Sequence, residues 1–158
     1  MTSLKFFALC FLAAAAVAAP DADSMKRGAA AYAKGTCIAC HGPAGVGIPG
    51  VFPPLAGSEW VSKDASIAVR NILHGLQGPI VVKGMTYNGV MPALGVLSEK
   101  EISDVVTYVG NSWGNTGPSI SEDEVKVIKK KYADRKTPWT AAEYEKEAKE
   151  AKEAPAKK

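Results

Sequence analysis

Cys37-Ile38-Ala39-Cys40-His41 constrains this chain more than any other stretch. C-x-x-C-H is the spacing of a c-type haem attachment site. Two thiols three positions apart can each add to one vinyl group of a haem, forming two thioethers. The histidine that follows lies under the iron and can bind it through Nε2. Five residues thus fix the macrocycle covalently and supply one axial ligand. A zinc ribbon needs a second C-x-x-C or an H-x-H pair, and the chain has neither. A thioredoxin-like pair needs a preceding strand and a βαβ frame. A plain Cys37–Cys40 disulfide is the remaining alternative.

The 158 residues suggest one domain with room for an appendage. Residues 1–18 read as a signal peptide. Lys5 charges its n-region, Phe6 to Val17 is an apolar stretch too short for a membrane span, and Ala16-Val17-Ala18 suits cleavage before Ala19. Leu9 precedes Cys10, where a lipoprotein signal has a small residue. Cys10 leaves with the leader, so both remaining cysteines belong to C-x-x-C-H. That fits attachment outside the cytoplasm, in the periplasm. Without Lys5, 18 basic side chains face 16 acidic ones. This balance argues against a nucleic-acid partner. No second apolar run reaches membrane length.

Ser24 to Ala33 is alanine-rich and predicts a helix, with Ser24 as its cap. Gly28 in that helix suggests close approach to another helix, and Gly35 loosens its end. Gly42 to Pro54 is a glycine- and proline-rich loop that needs a surface to pack on. The carbonyl of Pro53 or Pro54 is placed to accept the His41 Nδ1–H and fix its tautomer. Leu55 is expected on the ring, and Trp60 is read as a packing residue, with a propionate contact as the alternative.

Asp64 to Leu76 predicts a helix with Asp64 or Ser62 as cap. Ile80-Val81-Val82, Lys83-Gly84 and Met85-Thr86-Tyr87 predict a small β-hairpin. Met91 is the favoured second iron ligand, because Pro92 disfavours helix there and stiffens the loop. Met85 and His74, the second histidine, are the alternatives. Ser98 to Glu101 has the form of a capping box opening a helix to about Ser112, with Ile102, Val105, Val106 and Val109 as its apolar stripe. Tyr108 and Trp113 are expected against the first helix. After Trp113 a linker leads to two further capping boxes, Ser121 to Glu124 and Thr140 to Glu143. Residues 114–158 carry 11 basic and 9 acidic side chains and read as a charged helical extension with a solvated face.

These segments resemble class I bacterial cytochromes c. The matching residues are Cys37-Ile-Ala-Cys-His41, Phe52-Pro-Pro-Leu-Ala-Gly-Ser58, Tyr87-Asn-Gly-Val-Met-Pro92 and Leu97 to Trp113. The resemblance covers about residues 24–113. It implies an all-α cytochrome c fold, with three main helices and loops wrapped around one covalent haem c. It also implies His41 and Met91 as axial ligands. The expected organisation is a leader at 1–18, a cytochrome c domain at 19–113 and the extension at 114–158. The extension is expected to lie outside a haem fold already complete at Trp113, or to dock a partner.

The site residues are then Cys37, Cys40, His41, Pro53, Pro54, Leu55 and Met91. With nitrogen and thioether filling both axial positions, electron transfer is expected rather than catalysis. The chain would serve as a carrier or as the haem subunit of an oxidoreductase. Its partners would be a dehydrogenase, reductase or oxidase docking transiently at the haem edge. A haem enzyme or sensor with an open sixth position is the alternative.

Overall fold

The computed structural model describes residues 20–34 and 36–153. The expected leader, Cys10 and Gly35 lie outside these residues. Helix α1 covers Ala22–Lys34. Its cap is Asp21, whose carboxylate accepts the Ser24 N–H at 2.9 Å. The cap therefore lies earlier than the sequence suggests. Ser24 sits inside the helix, and its hydroxyl donates to Asp104 Oδ1 at 2.7 Å.

Helix α2, Cys37–His41, carries the C-x-x-C-H motif. Helix α3 is Glu59–Ser62 and α4 is Ala65–His74. Asp64 caps α4 by accepting the Ser66 N–H at 2.8 Å. Gly75, at φ 82°, ends it. A Cβ there would lie 2.6 Å from the Met91 carbonyl oxygen, so this junction admits only glycine. Leu76, expected in the helix, instead begins strand β1.

Four short strands follow: β1 Leu76–Gln77, β2 Ile80–Val82, β3 Met85–Tyr87 and β4 Val90–Met91. β2 and β3 form the expected hairpin, with Ile80 opposite Tyr87 and Val82 opposite Met85. Lys83 and Gly84, at φ 51° and 77°, make the primed turn that matches the strand twist. A second antiparallel pair, β1 with β4, sets Leu76 opposite Met91. The part of the chain before Trp113, expected to be all-α, is thus helical with small strands inserted between α4 and the next helix.

Helices α5 (Glu99–Gly110), α6 (Glu122–Lys131) and α7 (Ala141–Glu153) complete the order. α5 and α6 open on reciprocal capping boxes at Ser98/Glu101 and Ser121/Glu124. Thr140 and Glu143 do the same for α7.

α1 crosses α5 at Gly28. A Cβ there would lie 2.1 Å from the Asp104 carbonyl oxygen, so only bare backbone permits this approach. Asp104 is buried and receives Arg27 Nε at 2.7 Å together with Ser24 and Lys100. Beside the crossing, the Tyr32 ring lies 5.8 Å from Tyr108 and 5.2 Å from Trp113. The first core gathers the α4 and α5 stripes, including Val69, Ile72, Ile102, Val105 and Val106.

The core does not end at Trp113, near which the stripes needed to wrap a haem are expected to end. Ile120 is buried in the first core and Val125 is fully inaccessible. A second core joins Leu76, Ile80, Val82 and Tyr87 to Trp139 and Tyr144. Arg70 of α4 is the post on which this part sits. It is buried, its guanidinium lies 4.9 Å from the Trp139 ring and 4.4 Å from the Tyr144 ring, and it pairs with Glu147. A desolvated cation over an aromatic face is worth up to about 2 kcal/mol. The extension's charged face is solvated, as its composition suggests. Its buried apolar residues, Ile120, Val125, Trp139 and Tyr144, are too widely spaced in the sequence to announce that they enter the core.

Candidate functional site

The two cores enclose an apolar cavity of about 1150 Å³, its open mouth included. Cys37, Cys40, His41, Pro53, Pro54, Leu55 and Met91 all line it. Among the described residues, no lysine, arginine, aspartate or glutamate does.

On one wall the geometry is local. α1 delivers the chain to α2, and Gly42, with φ 72°, turns it away after His41. The loop that follows closes on itself: Gly47 N–H donates to the His41 carbonyl at 2.9 Å, and Leu55 and Ala56 N–H groups donate to the Gly45 carbonyl at 2.7 and 2.9 Å. These bonds bring Pro53 back over His41. The His41 Nδ1–H donates to the Pro53 carbonyl at 2.9 Å, so Nε2 carries the free lone pair. Burial holds the imidazole below the ordinary histidine range, against the pull of that carbonyl. The neutral, ligating form is thereby favoured. The Cys37 and Cys40 thiols are free, and burial pushes the Cys37 thiol up.

The opposite wall is assembled from distant segments. Met91 comes from β4, Leu76 from β1, and Ile80, Val82 and Tyr87 from the hairpin. α4 supplies Asn71 and Ile72, and α5 supplies Val105, Val106 and Val109. Met91 is half-buried and packs against both cores. Met85, at the turn end of β3, is 44% exposed and does not line the cavity. His74 is not on the wall either. It sits at the end of α4 with Nε2 buried and unpartnered, and burial followed by the Arg135 charge holds it below the usual range. Trp60 lines the cavity, but its indole N–H donates to the Val81 carbonyl at 2.9 Å. Its donor serves the hairpin.

Three positioning residues escaped the sequence. Asn115, buried, binds the Gly57 N–H through Oδ1 and the Leu55 and Val109 carbonyls through Nδ2 at 2.8–3.0 Å. It clips the loop bearing Leu55 to the end of α5. Asn71 and Tyr144 bond to each other at 2.7 Å behind the methionine wall. Single asparagines and a lone tyrosine carry no periodic signal, so nothing short of tertiary structure shows their role.

The donor set suits one covalent haem. Two free thiols, an imidazole with Nε2 unprotonated and a thioether border one uncharged slot. Comparison with known proteins agrees. Residues 23–109 match the family model described as cytochrome C oxidase, cbb3-type, subunit III. A cytochrome c-552 of Thermus thermophilus is 37% identical over 137 residues, covering 81% of this chain and 88% of that protein. A second cytochrome c-552 from the same species is 40% identical over 113 residues, covering 66% of this chain and 85% of that protein. The cytochrome c subunit of a quinone alcohol dehydrogenase from Gluconacetobacter polyoxogenes is 36% identical over 94 residues, which make up 58% of this chain and 19% of that longer protein. The chain belongs to the class I c-type cytochromes, whose cofactor is covalent haem c.

Proposed function

We propose that this protein transfers electrons in the periplasm, as a carrier or as the haem subunit of an oxidoreductase. In this reading Cys37 and Cys40 would hold the haem through thioethers, and His41 and Met91 would bind its iron. One observation carries it: these four residues line a single uncharged cavity, and the Pro53 carbonyl frees His41 Nε2 for the iron. When bound, haem c supplies a one-electron Fe(II)/Fe(III) couple, with a sulfur ligand favouring the reduced state.

The chain's residues then have distinct tasks. Pro53 orients the imidazole, and Leu55, Val105 and Val106 exclude water. Asn115 and the α1–α5 crossing hold the walls still between oxidation states. An open-site enzyme needs an acid–base group over the iron, and His74 stands outside the cavity wall.

Val51 and Val90 border the cavity and are 52% and 67% exposed, with Val46 and Ile48 exposed beside them. This uncharged rim suits a small, transient contact with a redox protein. The names of the relatives favour a dehydrogenase or an oxidase as that partner. The test is one pair of visible spectra and a mass measurement on the mature protein. The expected result is a low-spin c-type spectrum in both oxidation states and a mass raised by one haem that resists acid–acetone extraction. Free thiols and no Soret band overturn the reading.

A further inference from the structure

β4 has only two residues, and an isolated two-stranded ribbon is marginal in water. Its partner β1 is equally short. The pair nevertheless carries Met91, so something must hold it from the side. The structure supplies that support from the extension. On the edge away from Met91, Leu76 forms a parallel bridge with Trp139. Gln77 N–H donates to the Trp139 carbonyl at 2.8 Å, and Trp139 N–H donates to the Gly75 carbonyl at 2.9 Å. β1 is therefore a middle strand, with the methionine strand on one side and the extension on the other. Leu76, Met91, Trp139 and Tyr144 also share one apolar cluster.

A second link runs through α4. The Tyr144 hydroxyl donates to Asn71 Oδ1 at 2.7 Å. Asn71 is 9% exposed and lines the cavity on the methionine side. With Oδ1 committed to Tyr144, the Nδ2 donor is the end of the amide left for the cavity. Tyr144 is itself braced, its ring lying over Arg70 and stacked 5.1 Å from Trp139.

We propose that the C-terminal extension is a positioning element of the haem site, in which Trp139 and Tyr144 hold the Met91 strand and the Asn71 amide in place and so set how firmly Met91 stays on the iron. The inference rests on the reading of Met91 as the sixth ligand. The physical argument is a population argument. An external ligand reaches the iron only in the fraction of molecules whose methionine strand has swung away, and its apparent affinity scales with that fraction. Contacts that close the strand therefore appear directly as resistance to external ligands. Trp139 and Tyr144 touch no reacting atom, so they are positioning residues.

The test is an imidazole titration of the ferric holoprotein, read by the far-red absorption band of thioether-ligated iron, with the reduction potential measured alongside. Truncation after Lys136 removes Trp139 and α7 but leaves Ile120, Val125 and α6 in the first core. It should raise the apparent imidazole affinity about tenfold and lower the potential. Tyr144→Phe removes one hydroxyl and should raise the affinity about threefold. Met85→Leu should change nothing.

Far-UV circular dichroism shows whether the truncated chain keeps its remaining helices. If it does and its imidazole affinity equals that of the full chain, the proposal is overturned. If the truncated chain unfolds, Tyr144→Phe decides alone, and an unchanged affinity overturns the proposal. Met91→Leu in the full chain separates the two readings. A band that survives this substitution removes the ligand assignment and this inference with it. A band lost there, with no effect of the extension variants, leaves the assignment standing and sinks only the extension's role.

Discussion

The two walls of the cavity are built in opposite ways. The cysteine–histidine wall is written within about one turn of helix and one loop. Cys37, Cys40, His41 and the Pro53 carbonyl lie within 17 consecutive residues and are joined by short-range hydrogen bonds. The methionine wall draws on α4, two pairs of strands, α5 and the extension. Met91 is fixed there by Leu76, which is fixed in turn by Trp139. A local wall forms wherever its segment forms. A non-local wall exists only while every contributor is docked, so it is the wall a cell or a mutation can loosen. In a protein that changes only its charge, this division has a use. On the proposed reading, the attachment side would be permanent and the tuning side adjustable.

The sharpest way to break this comparison is at the attachment. Cys40→Ala should abolish or severely reduce covalent haem, leaving mature protein whose mass lacks one haem or whose haem is removed by acid–acetone. The effect should be large because only the Cys37 thiol then remains, and a single thioether is all that can still hold the ring. A fully loaded, extraction-resistant protein in which both Cys37→Ala and Cys40→Ala have been made would show that the motif is not the attachment site.

The matching change on the other wall should be graded. Met91→Leu should keep the haem covalently bound and the helices formed, lose the far-red thioether band and lower the potential, because the iron loses its soft sulfur. Met85→Leu should keep the band, since Met85 stands outside the cavity. The reverse pattern would move the ligand to the hairpin and dissolve the contrast between the walls.

The same contrast explains what the sequence could reveal. Cys37 to His41, the Pro53 carbonyl, the β2–β3 hairpin and three capping boxes are local devices, and each was readable from spacing and turn chemistry. That Met91 lines the cavity was readable because Pro92 marks its backbone. The β1–β4 pairing was not, because Leu76-Gln77 continues the helical pattern of α4 and only Gly75 interrupts it. Trp139 and Tyr144 were hidden for another reason. They sit in a segment dominated by lysine, glutamate and alanine, where two aromatic residues look like incidental surface groups. Both pack on Arg70, 69 and 74 residues away in the chain, which a linear reading pairs with nothing.

Both walls share one support, the α1–α5 crossing, and it offers a control that should act on neither wall selectively. Gly28→Ala forces a methyl group to within 2.1 Å of the Asp104 carbonyl oxygen, and the two backbones must separate. The cost should be about 3 kcal/mol, at the upper end of overpacking effects. Chemical denaturation of the holoprotein measures it. A loss well under 1 kcal/mol would mean that the helices slide apart freely and that the crossing does not brace the site.

The smallest effect belongs to Asp104 itself and is confined to acid. Burial alone would push its carboxyl up, but hydrogen bonds from Arg27, Lys100 and Ser24 together outweigh burial and hold it down at about 2, against an ordinary 3.8. A depressed carboxyl stabilises the fold fully above its unfolded value. That contribution fades as pH falls from about 4 through 2, because the unfolded chain takes up the proton first. The contribution is on the order of 2 kcal/mol, reduced somewhat because Arg27 and Lys100 are half exposed to solvent. Other carboxylates in the chain are depressed too, so the informative quantity is a difference. Asp104→Asn should be less stable than the natural protein at pH 5, and the gap should close as both approach pH 2. Denaturation midpoints across this range measure it. The far-red band at pH 5 should be unchanged, because Asp104 ties α1 to α5 and touches neither Met91 nor the extension. A gap that does not vary with pH would assign the loss to packing rather than charge. A weakened band would show that the crossing reaches the methionine wall after all, and that the two walls are less separable than their construction implies.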